Sequence, residues 1–200
     1  MSRIGEQLNI TLGLLFSKLG LPPNLWTLLS LIPAFLGFAA LYHQNLALGL
    51  VLFALSDVFD AVDGAVARVT KSVSNLGAFL DGVIERYVEA LLYFGLLFYT
   101  QNLQTFLMPN YLWIAMLIFG ALMVTFVVAY ADHKSLIADK EYQKRMEGRL
   151  GRNSRIILLY AGMLLGCFNS IWLVYTIAVT SVFVNVAALR RVFYVIRQES

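Results

Sequence analysis

The sequence has little charge and almost no cysteine. Only 14% of its 200 residues are charged, whereas 60% are hydrophobic, and the mean hydropathy is +0.73. Soluble domains are roughly 45–50% apolar and about 25% charged. The one cysteine, Cys167, excludes an internal disulfide and a metal site built from cysteines. The composition therefore predicts a polytopic membrane protein, and the length favours a single domain over residues 1–200.

Long apolar segments recur along the chain, without an internal repeat or a low-complexity segment. A helix that crosses a bilayer needs about 20 apolar residues. The predicted fold class is therefore an all-α polytopic membrane protein with six transmembrane helices, at 24–43, 47–68, 76–100, 111–133, 154–168 and 170–195. The fifth segment is the shortest of the six.

Basic residues are missing from one set of connections. All of the Lys and Arg residues except Arg86 lie near the termini, in the turn after the second segment, or in the loop after the fourth. By the positive-inside rule these regions are cytoplasmic, so the protein is expected to be an integral membrane protein with cytoplasmic termini. The positive-inside rule explains the net charge of +3 better than nucleic-acid binding does, so we expect membrane lipids and no nucleic acid as partners.

The first twenty residues have a different pattern. Apolar residues recur there at helical spacing, at Ile4, Leu8, Leu12, Leu15, Phe16 and Leu19. This spacing predicts an N-terminal amphipathic helix on the cytoplasmic membrane surface at 1–20, ended by Pro22 and Pro23. An ordinary packed helix is the alternative.

Four carboxylates lie between two strongly apolar segments. Asp60 and Asp63 are three residues apart, and Asp81 and Glu85 are four apart, so each pair shares a helix face. The turn "TKSVSNLG" would bring the two faces together. Converging carboxylates stay ionised only around a cation, and oxygen ligands favour Mg²⁺, Mn²⁺ or Ca²⁺. The cluster therefore predicts a site for one or two such ions, which would bind a diphosphate.

Helix-packing salt bridges are the alternative for these acids, with Arg68, Lys71 or Arg86 as partners. Each intramembrane acid costs about 2.5–3.5 kcal/mol on insertion scales, so four of them favour a functional site. Gly64 and Ala67 leave room for a ligand beside the cluster, and Arg68 is placed to meet a phosphate.

The spacing of these residues resembles the motif of the CDP-alcohol phosphatidyltransferase family. The matching string is Asp60-x-x-Asp63-Gly64-x-x-Ala67-Arg68, eight residues, Gly77, three residues, Asp81. The last family position is normally aspartate and is Glu85 here. "PPNLWTLLS", at 22–30, resembles the family's Pro-Asn-x-x-Thr string at the start of its first span. Inositol-phosphate-type members are the most similar.

The resemblance implies transfer of a phosphatidyl-type group from a CDP-linked lipid to an alcohol, with release of CMP, and a homodimer. It implies that two ions, Mg²⁺ or Mn²⁺, are held by Asp60, Asp63, Asp81 and Glu85. Glu85 would also be the general base that accepts the hydroxyl proton. The residues implied for CDP-lipid binding are Asn24, Thr27, Asp60, Gly64, Ala67 and Arg68.

Three basic residues are candidates for the acceptor phosphate. Arg152 and Arg155 share a helix face at the start of the fifth segment, and Lys134 follows the fourth. An ordinary positive-inside loop is the alternative. Family members that use inositol phosphate carry an Arg-x-x-Arg at this place, so inositol phosphate is the predicted acceptor and glycerol 3-phosphate the next candidate. The family's first basic residue after the fourth span is Asp132 here.

Two other functions remain open at this point. Intramembrane prenyltransferases also bind a diphosphate through acidic motifs, but on well-separated helices. A cation transporter could use the acids as an ion site, and would favour broken helices.

Overall fold

The fold is taken from a computed structural model, which describes residues 3–136 and 151–199. The described residues form α-helices joined by short connections, which confirms the all-α class. The helices are α1 (Arg3–Ser17), α2 (Pro23–Leu29), α3 (Leu31–Tyr42), α4 (Leu46–Val69), α5 (Asn75–Thr100), α6 (Asn110–His133), α7 (Arg152–Gly166) and α8 (Ser170–Glu199). The chain divides into two compact units, Met1–Gly95 and Leu96–Ser200.

Three stretches of the described chain are long and apolar enough to cross a membrane: Pro23–Tyr42, Asn110–His133 and Ser170–Arg197. The first comprises α2 and α3, which are separated at Ser30. Helix α7 has 15 residues and is about 22 Å long at 1.5 Å per residue, shorter than a usual span. The structure therefore supports an integral membrane protein, whereas six spans are not established by helix length and composition.

In the first unit, α4 packs against α1, α2 and α3. The fully buried Leu41 side chain of α3 packs against Gly49 of α4 and Gly95 of α5. A Cβ at either glycine would stand 2.7 Å or less from a Leu41 carbon, so only glycine allows this close approach. Leu41 thereby packs against both helices that carry the acidic residues.

Helix α1 contacts α4 through Gly13, where a Cβ would lie 2.6 Å from the Ala65 carbonyl oxygen. Phe16 packs edge-on against Trp26, with ring centroids 5.2 Å apart. Leu15 and Leu19 of the predicted apolar stripe are exposed instead, as are Ile10 and Leu14. Helix α1 is thus packed on one side and presents leucines on the other.

The predicted turn between the second and third segments is present. Thr70 ends α4, and Lys71 adopts a left-handed conformation with φ of 55°. The Ser74 hydroxyl oxygen accepts a hydrogen bond of 3.0 Å from the backbone N–H of Gly77 and so caps the start of α5. The short connection and the cap together let the chain reverse direction between α4 and α5.

In the second unit, α8 packs against α6 and α7. Asn185 and Arg191 of α8 both donate to backbone carbonyls of α6, Asn185 Nδ2 to Met116 (2.8 Å) and Arg191 Nη1 to Val124 (2.6 Å). Gly120 leaves the space that Val184 fills. Part of the predicted basic loop, including Lys140, Lys144, Arg145 and Arg149, lies outside the described residues.

Candidate functional site

The first unit brings three of the four predicted carboxylates together. One oxygen each of Asp60, Asp63 and Asp81 lies within 4.8 Å of the other two. Asp63 is buried, with 6% of its surface exposed, and the other two are half-buried. The cluster joins two residues of α4 to one of α5, as the spacing predicted.

The donor set of this cluster fits a divalent cation. Two oxygens on one ion lie at most twice the metal–oxygen distance apart, which is about 4.2 Å for Mg²⁺ and about 4.8 Å for Ca²⁺. The separations, of at most 4.8 Å, therefore match the limit for Ca²⁺ and extend at most slightly above the limit for Mg²⁺. Carboxylate oxygens are also the ligands that such hard ions prefer. A small side-chain adjustment would place all three oxygens on one ion.

A buried hydrogen bond holds Asp63 in place. The Thr27 hydroxyl of α2 donates to Asp63 Oδ2 at 2.5 Å, and Thr27 is 3% exposed. The segment after Thr27 is tied to α4 as well, because the Ser56 hydroxyl donates to the Ser30 carbonyl at 2.8 Å. The family resemblance implies that Thr27 binds the CDP-lipid, whereas its hydroxyl contacts Asp63, a candidate metal ligand.

Gly64 and Gly77, the two glycines of the motif, each face a polar side chain. The Arg68 side chain folds back along α4, so that Nη1 stands 3.4 Å from where a Cβ of Gly64 would be. Asn24 Oδ1 lies 3.2 Å from the equivalent point at Gly77. Ala67 and Asn24 are half-buried, and Arg68 is exposed. A side chain at either glycine would therefore press on Arg68 or Asn24.

Glu85 has a different environment from the aspartates. It is half-buried, and its Oε2 forms an ion pair with Arg86 Nη2 at 3.3 Å. Among the described residues, the group of closely spaced carboxylates consists of Asp60, Asp63 and Asp81, without Glu85. The Arg86 partner was one of the salt bridges considered as an alternative for these acids.

A further polar group lies along α5, beyond Glu85. The Glu89 carboxylate is 3% exposed; it pairs with Arg86 Nη1 at 2.8 Å and accepts a 2.6 Å hydrogen bond from the Tyr93 hydroxyl. Asp57, on α4, is half-buried. Glu89 is therefore paired on both of its carboxylate oxygens inside the protein. The role of Tyr93 was missed, although residues 85, 89 and 93 recur at intervals of four.

The second unit contains the candidates for the acceptor phosphate. Arg152 and Arg155 lie in the first turn of α7, where Arg155 is 3% exposed and Arg152 is half-buried. Lys134, just after α6, is exposed, and its Nζ stands 5.5 Å above the Tyr130 ring. Burial of Arg155 distinguishes it from an ordinary solvated residue of a positive-inside loop.

Comparison with known proteins identifies a family. The family model described as CDP-alcohol phosphatidyltransferase matches residues 21–187. The chain is 30% identical to an archaetidylinositol phosphate synthase of Aeropyrum pernix, over 92% of this chain and 88% of that one. It is 36% identical to the Pyrococcus horikoshii protein of the same name, over 42% of this chain and 45% of that relative.

The fold is also shared with a solved enzyme. The phosphatidylinositol phosphate synthase of Mycobacterium tuberculosis with CDP-DAG bound has a TM-score of 0.80 and 19% identity, over 94% of both chains. A second structure of that enzyme, in complex with manganese and citrate, gives a TM-score of 0.80 and 20% identity over 94% of this chain and 88% of that one. At these identities the likeness shows a common fold.

Proposed function

This chain belongs to the CDP-alcohol phosphatidyltransferase family, and we propose that it transfers a phosphatidyl-type group from a CDP-linked lipid to inositol phosphate, releasing CMP. Family membership makes it a membrane transferase of phospholipid biosynthesis and decides against the prenyltransferase and transporter alternatives. The relatives named archaetidylinositol phosphate synthase support inositol phosphate as the acceptor.

The convergence of Asp60, Asp63 and Asp81 is the observation that carries this proposal. Their oxygens lie within 4.8 Å of one another, and α4, which carries Asp60 and Asp63, also presents Gly64, Ala67 and Arg68. A divalent cation bound there neutralises the negative charge of a diphosphate. The solved structure in complex with manganese supports a divalent cation in this fold, and we propose that two ions, Mg²⁺ or Mn²⁺, bind here.

The other residues near the cluster bind and orient the donor. Arg68 supplies a guanidinium for a phosphate oxygen, and the Gly64 and Ala67 positions let the nucleotide approach the backbone of α4. Asn24 and Thr27 contribute from α2. Thr27 acts through Asp63, whose carboxylate it holds by a hydrogen bond.

The reaction needs a base for the acceptor. As the acceptor oxygen bonds to the lipid-side phosphorus, the bond to CMP breaks and CMP leaves with the electron pair. The hydroxyl proton passes to the Glu85 carboxylate, which lies one helical turn after Asp81. Glu85 is proposed to bind metal as well.

The acceptor phosphate is proposed to bind to Arg152, Arg155 and Lys134. Two guanidiniums in the first turn of α7 present forked donors where the helix dipole also favours an anion. Burial of Arg155 strengthens its interaction with a phosphate, because a low-dielectric surrounding screens charges less.

An acceptor screen tests the proposed function. Purified protein would be incubated with a CDP-linked lipid, Mg²⁺ and either inositol phosphate, glycerol 3-phosphate, inositol or no acceptor, and CMP release would be measured. We expect release with inositol phosphate above the other three. Preference for glycerol 3-phosphate would overturn the acceptor, and CMP release from none of them would overturn the donor.

We further propose six spans, a membrane-surface α1 and an active site that faces the cytoplasm. The one-sided basic residues and the exposed leucines of α1 support this arrangement. A cysteine placed at the exposed Gln104, in a Cys167→Ser background, should react with an impermeant reagent only from the non-cytoplasmic side. The homodimer remains a prediction for chemical cross-linking in the membrane.

A further inference from the structure

Arg86 connects two carboxylates on the same helix. Its Nη2 lies 3.3 Å from Glu85 Oε2, and its Nη1 lies 2.8 Å from Glu89 Oε2. A guanidinium presents these donors in one rigid plane. The position of the Glu85 carboxylate therefore depends on how Glu89 holds the other guanidinium nitrogen, Nη1.

Glu89 is itself firmly held. Its carboxylate is buried, and the oxygen that does not face Arg86 accepts a 2.6 Å hydrogen bond from the Tyr93 hydroxyl. Tyr93 is 2% exposed, so its ring is fixed by the surrounding core. A buried acid with both oxygens engaged has little freedom to move, because loss of either partner would leave a buried carboxylate oxygen unsatisfied.

This anchoring matters because Glu85 is one methylene longer than the family's aspartate. The longer side chain has an additional rotatable bond, and its carboxylate can reach several positions. A base must stand within hydrogen-bond reach of the hydroxyl, and a displacement of about 1 Å can cost about a hundredfold in rate. An unrestrained glutamate would spend much of its time out of reach.

We propose that Arg86 is a positioning residue, which holds the Glu85 carboxylate in its working orientation from the fixed point formed by Glu89 and Tyr93. The proposal rests on the proposed role of Glu85 as general base. Arg86 does not contact substrate in this scheme; it acts through Glu85.

The first test is kinetic. In Arg86→Gln, kcat at saturating CDP-linked lipid and acceptor should fall at least about tenfold, while both KM values change less than about threefold. Arg86→Lys should not restore kcat, because an ammonium lacks the fork that reaches both acids. Arg197→Gln, an exposed arginine near the end of α8, is the matched control and should keep the parental rate. A parental kcat in Arg86→Gln overturns the proposal.

A second variant separates positioning from folding. Arg86→Gln leaves the buried Glu89 without its cation and should lower the melting temperature in detergent. Arg86→Gln combined with Glu89→Gln removes that uncompensated charge, and should melt nearer the parental temperature while kcat stays low. Recovery of kcat together with the melting temperature would show a structural role alone and overturn the proposal.

Two double-mutant cycles test the connection to Glu85 directly. In a Glu85→Asp background the shorter acid no longer reaches the guanidinium, so Arg86→Gln should lower kcat by less than about twofold. An equal loss in both backgrounds contradicts positioning. The cycle of Glu85→Gln with Arg86→Gln on melting temperature should be non-additive, which reports the contact independently of turnover; strict additivity would contradict it.

Failure of the proposed function gives a different result. A parental rate in Glu85→Gln would remove the base itself, and with it the positioning role. A strong loss in Glu85→Gln beside a parental rate in Arg86→Gln would keep the base and overturn only the role of Arg86.

Discussion

The Thr27 hydroxyl donates a 2.5 Å hydrogen bond to Oδ2 of Asp63, 36 residues further along the chain. The bond joins α2 to α4, and both side chains are buried. A short hydrogen bond to a carboxylate fixes its rotamer and leaves the other oxygen for a different ligand. Helix α2, which carries Thr27, thus supports the candidate metal centre.

Loss of this hydroxyl should weaken metal binding. Thr27→Val keeps the shape of the side chain but removes the donor, and hydrogen bonds to charged groups contribute about 1.5–3 kcal/mol. We expect the Mn²⁺ dissociation constant, measured from the free-ion signal in electron paramagnetic resonance, to rise about tenfold. Thr27→Ser retains a hydroxyl and should bind nearly as tightly as the parent. Equal affinities in Val and parent would show that Asp63 is placed by other contacts.

Neutralising any aspartate of the cluster should abolish turnover without unfolding the protein. Asp60→Asn, Asp63→Asn and Asp81→Asn each remove a charged ligand. Chelation of the parent should stop CMP release, and added Mg²⁺ or Mn²⁺ should restore it. Asp139→Asn, in the loop after the fourth apolar segment and outside the motif, is the control and should keep the parental rate. Unchanged activity in Asp81→Asn would remove α5 from the metal site.

Glu85→Gln should lower kcat at least about a hundredfold, the lower end of general-base contributions. The amide keeps the size of the side chain but cannot accept the hydroxyl proton. Binding of the CDP-linked lipid, followed by equilibrium dialysis, should change little. Glu85→Asp restores the family residue and should retain much of the activity. A parental rate in Glu85→Gln would direct attention to Asp57 as the base.

Arg155→Lys and Arg152→Lys should raise the KM for the acceptor about tenfold or more, because a lysine cannot form the two parallel hydrogen bonds of a guanidinium. The KM for the CDP-linked lipid should stay within about threefold of the parent. The buried Arg155 also requires a melting-temperature check. If both KM values rise together, these arginines belong to the donor site or to the membrane surface.

Periodicity and spacing predicted much of this protein. The helix bounds lie close to the six apolar segments, because hydrophobic length and turn residues such as those at 70–74 are local properties. The approach of Asp60 and Asp63 to Asp81 was also predictable, since one short turn constrains both helix faces. The exposure of Leu15 and Leu19 could not be predicted from their spacing, because a repeat of apolar residues does not distinguish a face packed on protein from a face turned outwards.

The sequence by itself determined the helical class, the family motif and the identity of the acidic cluster, because these depend on composition and on short, fixed spacings. Only the tertiary structure decided which side chains hold that cluster. Thr27 reaches Asp63 because α2 packs on α4, a contact between residues far apart in the chain that no local pattern encodes. Which side chain engages each carboxylate oxygen of Glu89 likewise depends on the rotamers of Arg86 and Tyr93, which packing selects.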